Sequence, residues 1–275
     1  MIVSHFELIF KPQAPGPAAG VNVDRVVQGY FLEITNLEDQ PYRYALEFVV
    51  SPADPTRPER SLAGNCIYFV DTPPGTDNQS GVLNGGVSAT VFRPSRGSIL
   101  VPPKGTALVA VLPSVFGNAF DPTPLLVPNF EVRGHVVIKL PAVFPPGPPF
   151  SLFTVPQAAA PVKVLLTPQS RATFFSAANT ITSQLQATLP LASGAAVVSL
   201  PPEPGGPLVL QPFEVSRIDV RLRDALAGLE SSPAEMLALL VGGLQADAAA
   251  LSAFNAALKD GGIPYALEAR KRAGA

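Results

Sequence analysis

In "VVQGYFLEITNLEDQPYRYALEFVV", residues 26–50, apolar and polar side chains alternate on both sides of a turn-rich centre. Tyr30, Leu32 and Ile34 alternate with Phe31, Glu33 and Thr35. Beyond "NLEDQP" (36–41), Tyr42, Tyr44, Leu46, Phe48 and Val50 fall on one row, while Arg43 and Glu47 fall on the other. Period two with one polar face describes a strand of an antiparallel sheet that is buried on one side. The short connection predicts a hairpin with a longer loop, placing Tyr30, Leu32, Tyr44, Leu46 and Phe48 in the core.

The same texture extends outward. "SHFELIF" (4–10), "NCIYFV" (65–70), "VSATVF" (87–92), "GSILV" (97–101), "TALVAVL" (106–112), "NFEVRGHVVIKL" (129–140) and "VKVLL" (162–166) read as further strands. Turn chemistry separates them in "SPADPTRP", "TPPGTDNQSG", "RPSRG" and "PPKG". Many short strands with turn signals and no helix between them indicate a sandwich or a barrel.

Two stretches resemble bacterial immunoglobulin-like domains. "SILVPPKGTALVAVLP" (98–113) is similar to their strand–P-P-x-G-T–strand hairpin, and "YFLEITNLEDQPYRYALEF" (30–48) to their strand–N-L-x-D–strand hairpin. The resemblance covers about residues 20 to 170 and implies an antiparallel immunoglobulin-like sandwich. It also implies a scaffold or binding role without catalysis, although the disulfide and core Trp of antibody domains are missing.

Past the strands the texture changes. "PAVFPPGPPFSLFTVPQAAAP" (141–161) is rich in proline, which removes ladder hydrogen bonds and favours extended backbone. We read it as an apolar arm carrying Phe144, Phe150 and Phe153. "SRIDVRLRDALAGLE" (216–230) fits a strand through Ile218, Val220 and Leu222, and a helix through Ile218, Leu222, Ala225 and Leu229. The next element is a helix over about 233–259. Ser232 and Glu235 form a capping box, Pro233 sits at the first helical position, and Gly261-Gly262 stops it. Leu237, Leu244 and Leu251 recur on its apolar stripe with Leu240 and Phe254. Gly242 and Gly243, each costing about 1 kcal/mol relative to Ala, argue for packing on the chain's own sheet over a free-standing coiled coil. The expected organisation is a β-sandwich domain over 1–175, including the arm, and a charge-poor connector with a helical region over 176–275.

Composition narrows the function classes. The net charge of -2 gives no electrostatic footprint for nucleic acid. The N-terminus has no basic region followed by a long apolar core, and no run is long and apolar enough for a membrane helix, so a cytoplasmic protein is expected. Cys66 stands alone, so no intramolecular disulfide is possible. Only 15% of residues are charged, and between Pro141 and Phe213 the charged residues are Lys163, Arg171 and Glu203. A soluble surface ordinarily carries more. Either the rest of the chain or another copy must cover that segment.

Candidate chemistry is sparse. Asp71-Thr72-Pro73-Pro74-Gly75-Thr76 resembles the second nucleotide-sensing motif of ParA- and Mrp-like P-loop ATPases. Such an enzyme needs a glycine-rich loop ending in Gly-Lys-Ser/Thr, and the sequence contains no Gly-Lys pair. We therefore expect a strand end and a turn there, with Asp and Asn capping local amides. Asp71, Asp77 and Asn78 lack calcium-loop spacing. His5 and His135 fall on separate strands, His135 on the polar row with Glu131, Arg133 and Lys139, and no transition-metal site or cofactor is expected. Cys66 lies inside an apolar strand and reads as inert.

No catalytic residue is assigned. The leading expectation is a structural or interaction protein that assembles with copies of itself, with another protein as the second class of partner. Phe144, Phe150, Phe153, Leu237, Leu244 and Leu251 are its interface candidates. The alternatives are a module recognising a protein or glycan through loops 71–86, and an enzyme whose site is dispersed. A pocket joining His135 to a carboxylate would mark the latter.

Overall fold

The computed structural model describes residues 1–13, 24–54, 56–57, 60–72, 78–114, 129–145, 153–207 and residue 252. The chain divides into two compact units, Met1–Leu140 with Ala160–Pro201, and Pro141–Ala159 with Pro202–Ala275.

The first unit is built from β1 (Ile2–Pro12), β2 (Arg25–Asn36), β3 (Tyr42–Val50), β4 (Cys66–Asp71), β5 (Gln79–Asn84), β6 (Val91–Pro94), β7 (Ile99–Val101), β8 (Thr106–Pro113) and β9 (Phe130–Lys139). β11 (Val162–Phe175), β12 (Ile181–Thr188) and β13 (Val197–Leu200) complete it. The strands run antiparallel in the order β1-β9-β3-β6-β5-β4-β8-β2, and β2 pairs back to β1, which closes an eight-stranded barrel. The expected immunoglobulin-like β-sandwich is thereby overturned. A sandwich leaves two sheets with free edges, whereas β1 here bonds β9 along most of its length and β2 through residues 9–12. Mainly antiparallel β-structure is what the alternation called for.

The two stretches that resembled immunoglobulin hairpins are arches. β2 pairs with β8, β11 and β1, and β3 pairs with β9, β6 and β7, so residues 26–50 form no hairpin. β7 likewise joins β3, while β8 joins β2 and β4. Each connection carries the chain from one part of the wall to another, and the two connections lock together. The buried Asn36 side chain donates to Gln40 O at 2.7 Å, Pro102 O at 3.1 Å and Val101 O at 3.3 Å. Its Oδ1 accepts from Glu38 N at 3.0 Å, an Asx turn that swings the chain away from β2. Asn36 N donates to Gly105 O, Lys104 N to Glu38 O, and Lys104 Nζ to Leu37 O at 2.6 Å. Lys104 has a φ of 55°, in the left-handed region.

The inward rows are those the sequence marked. Tyr30, Leu32, Tyr44, Leu46 and Phe48 are all buried, beside Phe6, Leu8, Tyr68, Phe92 and Phe130. Phe6, Tyr30 and Phe48 meet edge-to-face with ring centroids 5.4–6.1 Å apart. An eight-stranded barrel has an interior just wide enough for such side chains to fill.

β11 bonds the outer edge of β2 from Val164↔Asn36 to Phe175↔Arg25. β12 then bonds β11, so a two-stranded wing extends the sheet beyond the barrel; β13 pairs the start of β11. β12 and β13 fall inside the stretch expected to be connector.

In the second unit, the described part of the proline-rich arm does take strand pairing. β10 (Phe153–Thr154) pairs β14 (Gly206–Pro207), and Val143 and Val155 exchange backbone hydrogen bonds of 2.9 and 2.7 Å. Among the described residues of the arm, proline leaves these short pairings in place. The helical portion expected over 233–259, with Leu237, Leu244 and Leu251, lies outside the described residues apart from Ser252. No helix among the described residues is long and apolar enough to cross a membrane.

Candidate functional site

Two surfaces of the first unit bear on function: a crevice at the barrel seam and the edge of the wing.

The seam forms where β2 leaves β8 and crosses to β1. Gln28 shares its alternating row with the buried Tyr30, yet it lies opposite Ile9 on the outer row of β1. The change of row falls at Gly29, where a Cβ would overlap the Leu112 side chain and crowd the Val111 carbonyl. A crevice of about 360 Å³ opens there, lined by His5, Glu7, Gln28, Tyr30, Arg133 and Ser170 among others. Its charges are matched. Arg133 Nε donates to Glu7 Oε1, its guanidinium also pairs with Glu131, and Lys11 pairs with Glu131 in turn. Gln28 Nε2 donates to Glu7 Oε2 at 3.3 Å. Burial pushes the Tyr30 phenol well above its ordinary pKa, against a smaller opposing effect of its 3.0 Å hydrogen bond with Ser4 Oγ. A carboxylate committed to an arginine, beside a phenol that stays protonated, is a poor general-base arrangement.

Across the outer face of β3, β6 and β9 a second network sits on Glu47. Its Oε1 accepts from Arg93 Nη2 at 2.8 Å and Lys139 Nζ at 2.9 Å. Burial pushes the Glu47 carboxyl up, and the hydrogen bonds and charges of Lys139 and Arg93 outweigh it, holding the pKa below its ordinary value.

The residues singled out in the sequence are dispersed, with one exception. Asp71 is exposed at the end of β4, which is antiparallel to both β5 and β8, unlike the strand of an ATPase sheet. Asn78 Oδ1 accepts from Thr72 N at 3.3 Å, a local cap, and residues 73–77 lie outside the described set. Cys66 is fully buried, with Sγ donating to Leu62 O at 3.1 Å. Phe144 is half-buried in the second unit, Phe150 lies outside the described residues, and of Phe153 the backbone alone is described. The exception is the histidines: His5 and His135 face each other across the β1–β9 ladder.

Sequence reasoning missed the wing edge. All eight residues of β12 are exposed, with Ile181 at 56% and Leu185 at 61%. Ser183, Leu185 and Ala187 form one row, and Gln184, Gln186 and Thr188 the other; a register shift opposite Phe174 and Phe175 puts Ile181 on the opposite face from Ser183. That alternation was present in "ITSQLQAT", but its apolar row is too weak to stand out. The turn before β12 is held firmly: Arg25 Nη2 donates to Asn179 Oδ1, and Asp24 Oδ1 accepts from Ala177 N at 2.9 Å. Arg171, the one charge on β11 beside β12, lies over the Phe31 ring at 4.3 Å and donates to Gln169 Oε1.

No protein-family model matches the chain, and neither do any curated protein or solved structure.

Proposed function

We propose that the protein is a non-catalytic structural or interaction protein that assembles with copies of itself through the free edge of β12. The observation that carries this reading is an eight-residue edge strand exposed on both faces, with no charge and no proline, and paired on one side only among the described residues. Proteins ordinarily guard such edges with lysine, proline, bulges or a covering segment, because unpaired N–H and C=O groups recruit another strand. β12 carries no lysine and no proline; its register shift lies at its start, opposite Phe174 and Phe175, next to the anchored turn.

A second copy fits this edge better than an arbitrary partner. When two antiparallel copies of β12 are centred on Leu185, beyond the register shift, Leu185 faces its own copy and Ser183 of one faces Ala187 of the other on one side of the sheet. Gln184 faces Gln186 on the opposite side. The arrangement is isologous, as a twofold dimer requires, and places no like charges in opposition. It also accounts for the scarcity of charge in this part of the chain.

The test is a single cysteine. Leu185→Cys would bring two thiols together on the axis, where directly opposed Cα atoms lie about 4.5–5.5 Å apart, within reach of a disulfide. Mild oxidation should convert the full-length variant to a covalent dimer, while the wild-type protein, whose Cys66 is buried, should not cross-link. Failure of Leu185→Cys, Gln184→Cys and Gln186→Cys alike to cross-link at a concentration where the protein is folded would refute the proposed pairing.

A further inference from the structure

The chain contains two histidines, His5 and His135. The fold places them directly opposite each other on antiparallel strands. Opposed residues share a face and have Cβ atoms about 4.5–5.5 Å apart. This face is the outer one: Phe6 and Val136, the next residues along, are buried, whereas His5 is exposed and His135 half-buried. Among the described residues neither imidazole has a hydrogen-bond or ion-pair partner, so both keep a ring nitrogen available. His5 also lines the seam crevice, which leaves an open approach on that side.

Imidazole nitrogens bind zinc at about 2.0–2.1 Å, so two rings rooted about 5 Å apart can converge on one ion as neighbouring ligands. Imidazole suits Cu²⁺, Ni²⁺ and Zn²⁺, while the hard cations Mg²⁺ and Ca²⁺ prefer oxygen. We infer that His5 and His135 form a two-histidine surface site for a divalent transition-metal cation of the Cu²⁺, Ni²⁺, Zn²⁺ class. Glu7 stands two residues from His5 on the same row, but its carboxylate is held by Arg133 and Gln28. No group of three or more His, Cys, Asp or Glu side chains converges among the described residues. Water therefore fills the remaining positions, and the site is open. Arg133, two residues from His135 on the same row, is matched by Glu7 and Glu131 and does not oppose the ion as a bare charge. The bound ion would bridge β1 to β9. It would reinforce the ladder that begins where the Met1 amine donates to Ile138 O at 2.8 Å. Binding to the folded form alone raises stability.

The experiment uses the full-length protein without a histidine tag, stripped with chelator and titrated with CuCl₂. One Cu²⁺ per chain is expected, with an electron paramagnetic resonance spectrum showing two coordinated imidazole nitrogens and a higher melting temperature. His5→Gln and His135→Gln should each weaken binding at least tenfold and abolish the melting shift. Ni²⁺ should bind more weakly than Cu²⁺, following the usual order of divalent affinities. Because His5 is exposed, His5→Gln should fold normally, and unfolding of His135→Gln leaves the test standing on His5→Gln. Absence of binding, a spectrum with fewer than two imidazole nitrogens, or unchanged affinity in His5→Gln would overturn the assignment.

Discussion

The ladder of β1 with β9 and the ladder of β11 with β12 are both antiparallel and both reach solvent, yet they are built on different terms. On β1 and β9 one row is buried: Phe6, Leu8, Phe10, Phe130, Val132 and Val136 fill the barrel. The other row carries Glu7, Lys11, Glu131 and Arg133, cross-linked as ion pairs. On β12 neither row is buried and neither carries charge. One-sided burial separates hydrophobic from charged positions and sets the register, because a one-residue slip would expose the whole apolar row. Where both faces meet solvent, that selection is lost. An uncharged edge then persists either without purpose or because another strand completes it.

The comparison can be strained first through the core. Leu46→Ala, in the barrel wall at 1% exposure, should cost about 2–5 kcal/mol in denaturant unfolding, as buried large-to-small changes do. Leu185→Ala, on the wing at 61% exposure, should stay within about 0.5 kcal/mol under conditions where the protein is monomeric. Equal losses would mean that the wing belongs to the same packed core as the wall.

The arches come next. Asn36→Ala would strand buried carbonyls of the 101–102 connection and remove the Asx turn, at a cost of about 1–3 kcal/mol. Asn36→Asp should not rescue it, since the carboxylate has no N–H to donate. A change below a few tenths of a kcal/mol would show that the two connections hold their course without this side chain.

The Glu47 network gives a pH signature on the wall that the wing lacks. The Glu47 carboxyl has a folded-state pKa below its unfolded value, so its contribution to stability is present above the ordinary glutamate range. It is lost as pH falls through the folded pKa. Glu47→Gln should therefore flatten the acid limb of the stability profile. An unchanged limb would mean that the pairs with Arg93 and Lys139 add nothing beyond their exposed counterparts.

The smallest effect is expected at Tyr44. Its hydroxyl is buried with no hydrogen-bond partner among the described residues, and burial pushes its pKa well up, with smaller contributions from Tyr42 and Glu38. Tyr44→Phe should be neutral or slightly stabilising, because it removes an unpaired polar group without changing the ring. A loss above about 1 kcal/mol would reveal a partner for that oxygen.

These contrasts also explain what could be read from the chain directly. Inward residues of β2 and β3 were legible because burial on one side imposes period two. Their pairing was not, because the route taken by residues 36–41 depends on Asn36 reaching the 101–102 carbonyls, a contact between distant segments. The same holds for closure: nothing local in "SHFELIF" specifies that β1 bonds β2 as well as β9. The histidine pair was invisible for the same reason, since β1–β9 register is a long-range fact. β12 escaped notice because Ile181 and Leu185 are diluted by serine, threonine, glutamine and alanine. The charge deficit that includes it was plain in the composition, and it pointed to a covered surface without saying which.

An association edge at β12 shows most directly in the solution mass of the full-length protein. Sedimentation velocity at tens of micromolar should give an oligomer for the wild type. The double variant Ile181→Lys/Leu185→Lys should give a folded monomer with an unchanged melting profile at low concentration. The two side chains are exposed in the protomer, and the lysines at 185 would oppose each other on the proposed twofold axis. A wild-type protein that is monomeric at that concentration, or a lysine variant that keeps the wild-type oligomer, would contradict the account.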